Sequence, residues 1–114
     1  MMAFKREKVI KAAEKYVSKG KLEAAIKEYR KVLAQSPDDI NTLNRVGDLY
    51  ARAGKPDEAI KLFAQIAERY TRDGFLVKAI AIYKKAAAIA RATTFSIAMA
   101  AATEVFLRAT APAT

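Results

Sequence analysis

The sequence predicts an all-α protein: a stack of antiparallel helical hairpins, an α-solenoid of about five helices with a further C-terminal helix. Two observations carry this. Small, aromatic and turn residues recur in one register 34 residues apart, pairing Ala13 with Gly47, Tyr16 with Tyr50, Gly20 with Gly54, Ala25 with Ala59, Tyr29 with Phe63 and Val32 with Ile66. Between the turn glycines, apolar residues fall at helical rather than alternating spacing. A fixed period built on a helix–turn–helix unit marks a repeat architecture, in which each unit buries its apolar face by stacking on its neighbours.

The first helix is expected over about Phe4 to Ser18, with Val9, Ala12, Ala13, Tyr16 and Val17 on one face and lysines over the rest. Gly20 ends it, because the residue just past a helix often needs a positive φ that glycine adopts without a Cβ penalty. The second helix, about Leu22 to Gln35, buries Leu22, Ala25, Ile26, Tyr29, Val32 and Leu33, with Glu23 and Lys27 as an outer i,i+4 pair. Ser36-Pro37 stops it, since the residue before a proline is pushed out of the helical region. Asp38 or Asp39 caps a third helix, about Ile40 to Ala53, which carries Leu43, Val46, Gly47 and Tyr50 inward. A glycine inside a helix costs about 1 kcal/mol against alanine, so Gly47 points to a close approach between helices.

Gly54-Lys55-Pro56-Asp57-Glu58 ends that helix and starts the fourth, with proline allowed in the first turn and acids at the positive end. After it the register changes. The fourth helix, about Pro56 to Thr71, has no proline to close it, and Asp73-Gly74 arrives only 20 residues after Gly54. Gly54, Ala59, Ile60 and Phe63 then recur as Gly74, Ala79, Ile80 and Tyr83. The fourth helix is therefore expected to show apolar residues on more than one face and to pack between two neighbours. A fifth helix is expected over about Phe75 to Arg91. Beyond it lies an alanine- and threonine-rich segment in which Thr93 or Thr94 would cap a sixth helix, Phe95 to about Arg108. The chain thus divides into a repeat domain at 1–91, with units at about 6–39, 40–73 and a partial unit at 74–91, and a tail at 92–114. Three explanations stand for the tail: a capping helix, a truncated further unit, or a non-native end. Its poverty in charge makes self-association through an apolar C-terminal surface an expected consequence.

The motif residues over about 4–90 resemble the tetratricopeptide repeat family: small Ala13/Gly47, aromatic Tyr16/Tyr50, turn Gly20/Gly54, small Ala25/Ala59, aromatic Tyr29/Phe63, and Pro37 closing the first unit. The resemblance implies a protein–protein interaction scaffold without catalysis, its first helices lining a concave groove that takes an extended or helical peptide. Carried over by position, the groove presents Glu7, Ile10, Lys11, Glu14 and Val17 from the first helix. Asn41, Asn44, Arg45, Asp48 and Arg52 come from the third. Asn44 and Arg45 supply the amide and guanidinium donors that a peptide backbone or carboxylate needs; the ordinary reading of each position singly is a solvated helix face. A subset of the family clamps a C-terminal carboxylate at positions that correspond here to Ile10, Glu14, Arg45, Lys61 and Gln65. Only Lys61 matches, and Glu14 would repel a carboxylate, so that specialised activity is not expected.

Composition narrows the function further. There is no cysteine and no histidine, which removes disulfides, thiolate metal sites, the commonest general base and the commonest metal ligand. Neither a cofactor nor a metal is expected. Asp38-Asp39 and Asp57-Glu58 are adjacent residues that do not face each other on a helix, and they read as helix-start acids. The aromatic stripe Tyr16, Tyr29, Tyr50, Phe63, Tyr70 and Tyr83 reads as core rather than as a base-stacking surface, which needs exposed rings beside basic residues.

The net charge of +9 sits at the ends: ten basic and four acidic residues in 1–36, six and seven in 37–73, five and one in 74–114. That excess motivates the alternative reading, a basic surface binding nucleic acid or anionic membrane, against the ordinary reading of lysines on solvated faces. No apolar run follows the N-terminal basic residues, so no signal peptide is expected. The longest uncharged run, 92–103, is twelve residues, short of the ~20 for a spanning helix. A soluble cytoplasmic protein without a membrane span is the resulting expectation.

Overall fold

The computed structural model describes residues 4–112, which contain five α-helices and no strand. They are α1 (Arg6–Ser18), α2 (Leu22–Gln35), α3 (Ile40–Arg52), α4 (Pro56–Arg72) and α5 (Leu76–Thr110). Each helix packs on the next in sequence, so α1–α2 and α3–α4 form antiparallel hairpins and α5 covers α4. This is the predicted helical-repeat solenoid. The tail residues 113–114 and the N-terminal residues 1–3 lie outside the described part of the chain.

Three turns in the stack share one geometry. Gly20, Gly54 and Gly74 all have φ between 74° and 83°, the left-handed region where a Cβ is penalised. In each turn the N–H three residues past the last helical residue reaches back five residues to a tyrosine carbonyl. Lys21 donates to Tyr16 O (2.9 Å), Lys55 to Tyr50 O (2.8 Å) and Phe75 to Tyr70 O (2.8 Å). The glycine N–H closes an inner bond to Val17, Ala51 or Thr71. The tyrosine–glycine pairing is therefore a helix-ending device, and Tyr70–Gly74 uses it 20 residues after the second turn just as the sequence register indicates.

The core runs through the middle of the stack: Ala13 from α1; Ala25, Ile26 and Tyr29 from α2; Leu43, Val46, Leu49 and Tyr50 from α3; Ala59, Phe63 and Ile66 from α4; and Ala86 from α5. Phe63 is wholly buried, and its ring fills the space that Gly47 leaves open. A Cβ added at Gly47 would meet Phe63 Cζ at 2.8 Å and Cε1 at 2.9 Å. The glycine expected to mark a close approach does so, and the group approaching it is an aromatic edge. As expected, α4 buries residues on both sides, with Ala59 and Phe63 followed by Ile66 and Ala67, because it lies between α3 and α5.

The C-terminal region corrects the sequence reading. The expected break at Thr93–Thr94 and the separate sixth helix are absent, and α5 runs unbroken for 35 residues. Both threonines turn their hydroxyls back to the preceding turn, Thr93 to Ile89 O (2.9 Å) and Thr94 to Ala90 O (3.0 Å), so neither caps. With no glycine or proline between Leu76 and Thr110, nothing in the local sequence outweighs continued helix. Tyr83 also departs from the core assignment. It is 49% exposed, and Leu76, Val77 and Ile80 on the first turns of α5 are exposed as well. The uncharged run of twelve residues understated α5, which is long and apolar enough to cross a membrane by length and composition. Arg91 and Glu104 end that run without ending the helix.

Asp39, rather than Asp38, caps α3. Its carboxylate accepts from the Thr42 N–H (3.4 Å) and Thr42 hydroxyl (3.0 Å) and pairs with Arg6 of α1. Burial alone would push the Asp39 carboxyl up; hydrogen bonds from Arg6 and Thr42, with the Arg6 charge, outweigh it and hold the group below the usual carboxylate range. Asp38 instead pairs with Arg69 of α4 (3.1 Å). Glu23 pairs with Lys55 at the start of α4 (3.0 Å) rather than with Lys27. These exposed pairs stabilise little by themselves.

Gly47→Leu is expected to lower the unfolding free energy by about 3 kcal/mol through overpacking against Phe63. Gly47→Ala should cost less, because about 1 kcal/mol of helix propensity offsets the clash, and Phe63→Leu added to Gly47→Ala should recover part of the loss. A denaturation midpoint unmoved by Gly47→Leu would refute the close-packing account. Asp39→Ala is expected to remove about 1 kcal/mol at neutral pH. Because the folded carboxyl titrates low, its contribution is complete above the unfolded value of ~3.9 and fades as pH falls through the folded one. The wild-type and Asp39→Ala stabilities should accordingly converge in acid, as followed by denaturation across pH.

Candidate partner-binding site

Helical hairpins stacked in one direction place α1 and α3 side by side on one face, and the residues predicted for the groove project from these two helices. The face holds together through Arg45, which donates to Glu14 Oε1 (3.4 Å) across the α1–α3 step and to the Tyr29 hydroxyl (3.3 Å) from α2. The Tyr29 hydroxyl bond is the main reason that the Arg45 guanidinium titrates above its ordinary value, with Glu14 adding to it. Arg45 is therefore fixed by two partners yet stays exposed, a cation held in place rather than one free to sweep the surface.

Beside it lies a shallow cavity, open to solvent, of about 170 Å³, lined by Val17, Tyr29, Arg45, Asp48, Leu49 and Arg52. Val17 and Leu49 supply an apolar floor. Arg45, Asp48 and Arg52 stand on successive turns of α3 and make a charged rim with two cations and one anion. A wall of this kind suits a segment with an apolar side chain to seat and a carboxylate to pair.

The structure brings the predicted residues together only in part. Glu14, Arg45, Asp48 and Arg52 share the face around this cavity. Asn44 and Asp48 are both engaged from a distant element: Lys85 Nζ of α5 donates to Asn44 Oδ1 (3.1 Å) and pairs with Asp48 Oδ1 (2.7 Å), lying 4.6 Å above the centre of the Phe63 ring. The Asn44 carbonyl is thus engaged within the molecule while its amide N–H2 group takes no part in that bond, and the Asp48 charge is partly neutralised. Asn41 is exposed at the first turn of α3, one end of the face. Lys11 lies apart, over the first turns of α1 with Lys5, Arg6, Glu7 and Lys8. The hollow there is larger, about 580 Å³, but one helix segment lines it; like the hollow beside Arg45 it is open to solvent.

Two participants escaped the sequence reading. Tyr29 reads as core, and its ring is buried, but its hydroxyl comes out on the face beside Arg45. Lys85 lies 41 residues from Asn44, in a helix whose register departs from the repeat, and no local signal connects them. Among the described residues no group of three or more acidic side chains is placed to hold a metal ion.

The comparisons with known proteins fall on the same elements. The TPR repeat family profile matches residues 13–54, from the middle of α1 through the turn that ends α3. The PPR repeat profile matches residues 42–69, covering α3 and α4. No curated protein matches the chain. The 34-residue register, the tyrosine–glycine turns and the sequential hairpins make this chain a helical-repeat protein, similar over residues 13–54 to the TPR repeat family.

Proposed function

We propose that the chain is a binding module without catalysis, which takes a partner protein's peptide segment along the α1–α3 face. The observation that carries the reading is the cavity between Val17 and Leu49 with Arg45 and Arg52 on its rim. Two cations two helical turns apart, Arg45 shared with Glu14 and Arg52 outside that pair, favour a segment bearing an acidic residue beside an apolar side chain. Arg45 is pre-positioned by Tyr29 and Glu14, so little side-chain freedom is lost when it binds. Lys85 tunes the face by masking Asp48, which would otherwise repel the same acid.

Labelled peptides with acidic residues flanking one leucine or phenylalanine test this by fluorescence anisotropy. The double substitution Arg45→Glu plus Arg52→Glu should weaken binding roughly tenfold or more, about 1.4 kcal/mol or above, while leaving helicity unchanged. Lys85→Met, which keeps an aliphatic chain over Phe63, should weaken it by a smaller factor through unmasked Asp48. Equal affinity for wild type and the double charge reversal would dispose of the proposed face.

A second reading, binding of single-stranded RNA, is favoured by the PPR repeat match over 42–69 and the net charge of +9. It requires affinity that falls steeply with added salt, since phosphate contacts release counterions. Absence of binding to single-stranded RNA at ~50 mM salt, where screening is weak, would exclude it.

A further inference from the structure

Past the point where it packs on α4, α5 continues as a free rod. Ala79, Ile82, Ala86, Ile89 and Thr93 mark its packed face, all buried or half-buried. Every residue from 94 to 110 is exposed, a length of about 26 Å at helical rise. On the side turned roughly 150° from the packed face, at 100° per residue, lies a line of Ala92, Phe95, Met99, Ala102, Phe106 and Ala109. The spacings are three, four, three, four, three. That alternation is the seam of a helix that pairs with another helix, knob into hole.

We propose that this seam binds the same seam of a second copy of the chain, antiparallel, forming a dimer through the projecting half of α5. The pattern reads nearly the same in both directions. Antiparallel about a two-fold axis between Met99 and Ala102, it sets Phe95 against Phe106 of the other copy, Met99 against Ala102, and Ala92 against Ala109. Large thus meets small at the centre, and the aromatic pairs lie one layer out on each side. No charge interrupts the seam, because Glu104 and Arg108 lie off it and pair with each other along the helix (2.6 Å).

Charge also sets the direction. A parallel pair would bring two bodies with the same basic excess together, whereas an antiparallel pair holds them at opposite ends, farther apart than the ~8 Å screening length in physiological salt. The area is adequate. Phe95, Met99 and Phe106 are 66%, 51% and 65% exposed; with the alanines they bury on the order of 500 Å² per copy. The total of roughly 1,000 Å² is the lower bound for a specific interface, so the dimer is a weak one. A bilayer is the poorer cover. α5 is long and apolar enough to span by length and composition, but every stretch of it that would fill the ~30 Å hydrocarbon core, about 20 residues at helical rise, contains Arg91.

Sedimentation of the full chain at roughly 100 µM, a concentration suited to an interface at the weak end of the size range, should give twice the 12.5 kDa of one chain. Phe95→Glu with Phe106→Glu should return it to monomer with the repeat helices intact by circular dichroism. Ile97→Glu with Leu107→Glu, off the seam, should leave the dimer. Since the chain has no cysteine, Ala92→Cys and Ala109→Cys chains should cross-link when mixed and not when each is alone. A monomeric wild type, equal loss from both glutamate pairs, cross-linking of Ala92→Cys alone, or partition into phosphatidylcholine vesicles in place of dimerisation would each overturn the proposal.

Discussion

The ring of Phe63 lies against the backbone of α3 at Gly47, and the spacing of the stack depends on that contact. With no side chain at Gly47 the two helices close until the aromatic edge meets the backbone, and the ring is then sealed from water. From above, Lys85 covers the ring with its ammonium over the π face, a cation–π arrangement. Lys85 is at the same time the residue that reaches Asn44 and Asp48. The core contact and the polar surface of α3 are thus two sides of one cluster, and a change in how α4 sits on α3 would be felt in both.

This coupling bears on what the face can do. A solenoid usually offers the polar side of its first helices to a partner, each residue free to bend toward it. Here Arg45 is held by Tyr29 and Glu14, and Asp48 by Lys85, so half of the polar surface is already spoken for within the molecule. What stays open is the apolar floor of Val17 and Leu49 with a cationic rim. On the proposed reading, such a surface suits a short acidic and apolar segment.

The stack is open at its far end. In a longer array the side of α5 carrying Leu76, Ile80 and Tyr83 would be covered by the next hairpin, and Tyr83 stands at the motif position that is buried in the earlier units. No hairpin follows among the described residues, and α5 instead extends away from the body. The molecule is accordingly 71 Å long and only 20 Å across its thinnest dimension. Its apolar surface is concentrated on one helix, while the charge is carried by the hairpins.

The sequence by itself determined the local events. Tyr16–Gly20, Tyr50–Gly54 and Tyr70–Gly74 end helices because a glycine past the last turn is the lowest-energy solution wherever the chain must turn left-handed. Pro37 and Pro56, the Asp39 cap and the helical period of the apolar residues act over a few residues and are legible for that reason. Gly47 even announced a close approach. Tertiary structure alone decided which distant partners met: that Phe63 would fill the Gly47 gap, that Glu23 would prefer Lys55 to Lys27, and that Lys85 would engage Asn44 and Asp48. The continuity of α5 through Thr93 is by contrast a local outcome, since every residue from 94 to 110 is exposed. A threonine caps a helix only when the chain has a reason to turn there, and with no further packing surface to turn back onto, continued hydrogen bonding along the helix was the better outcome.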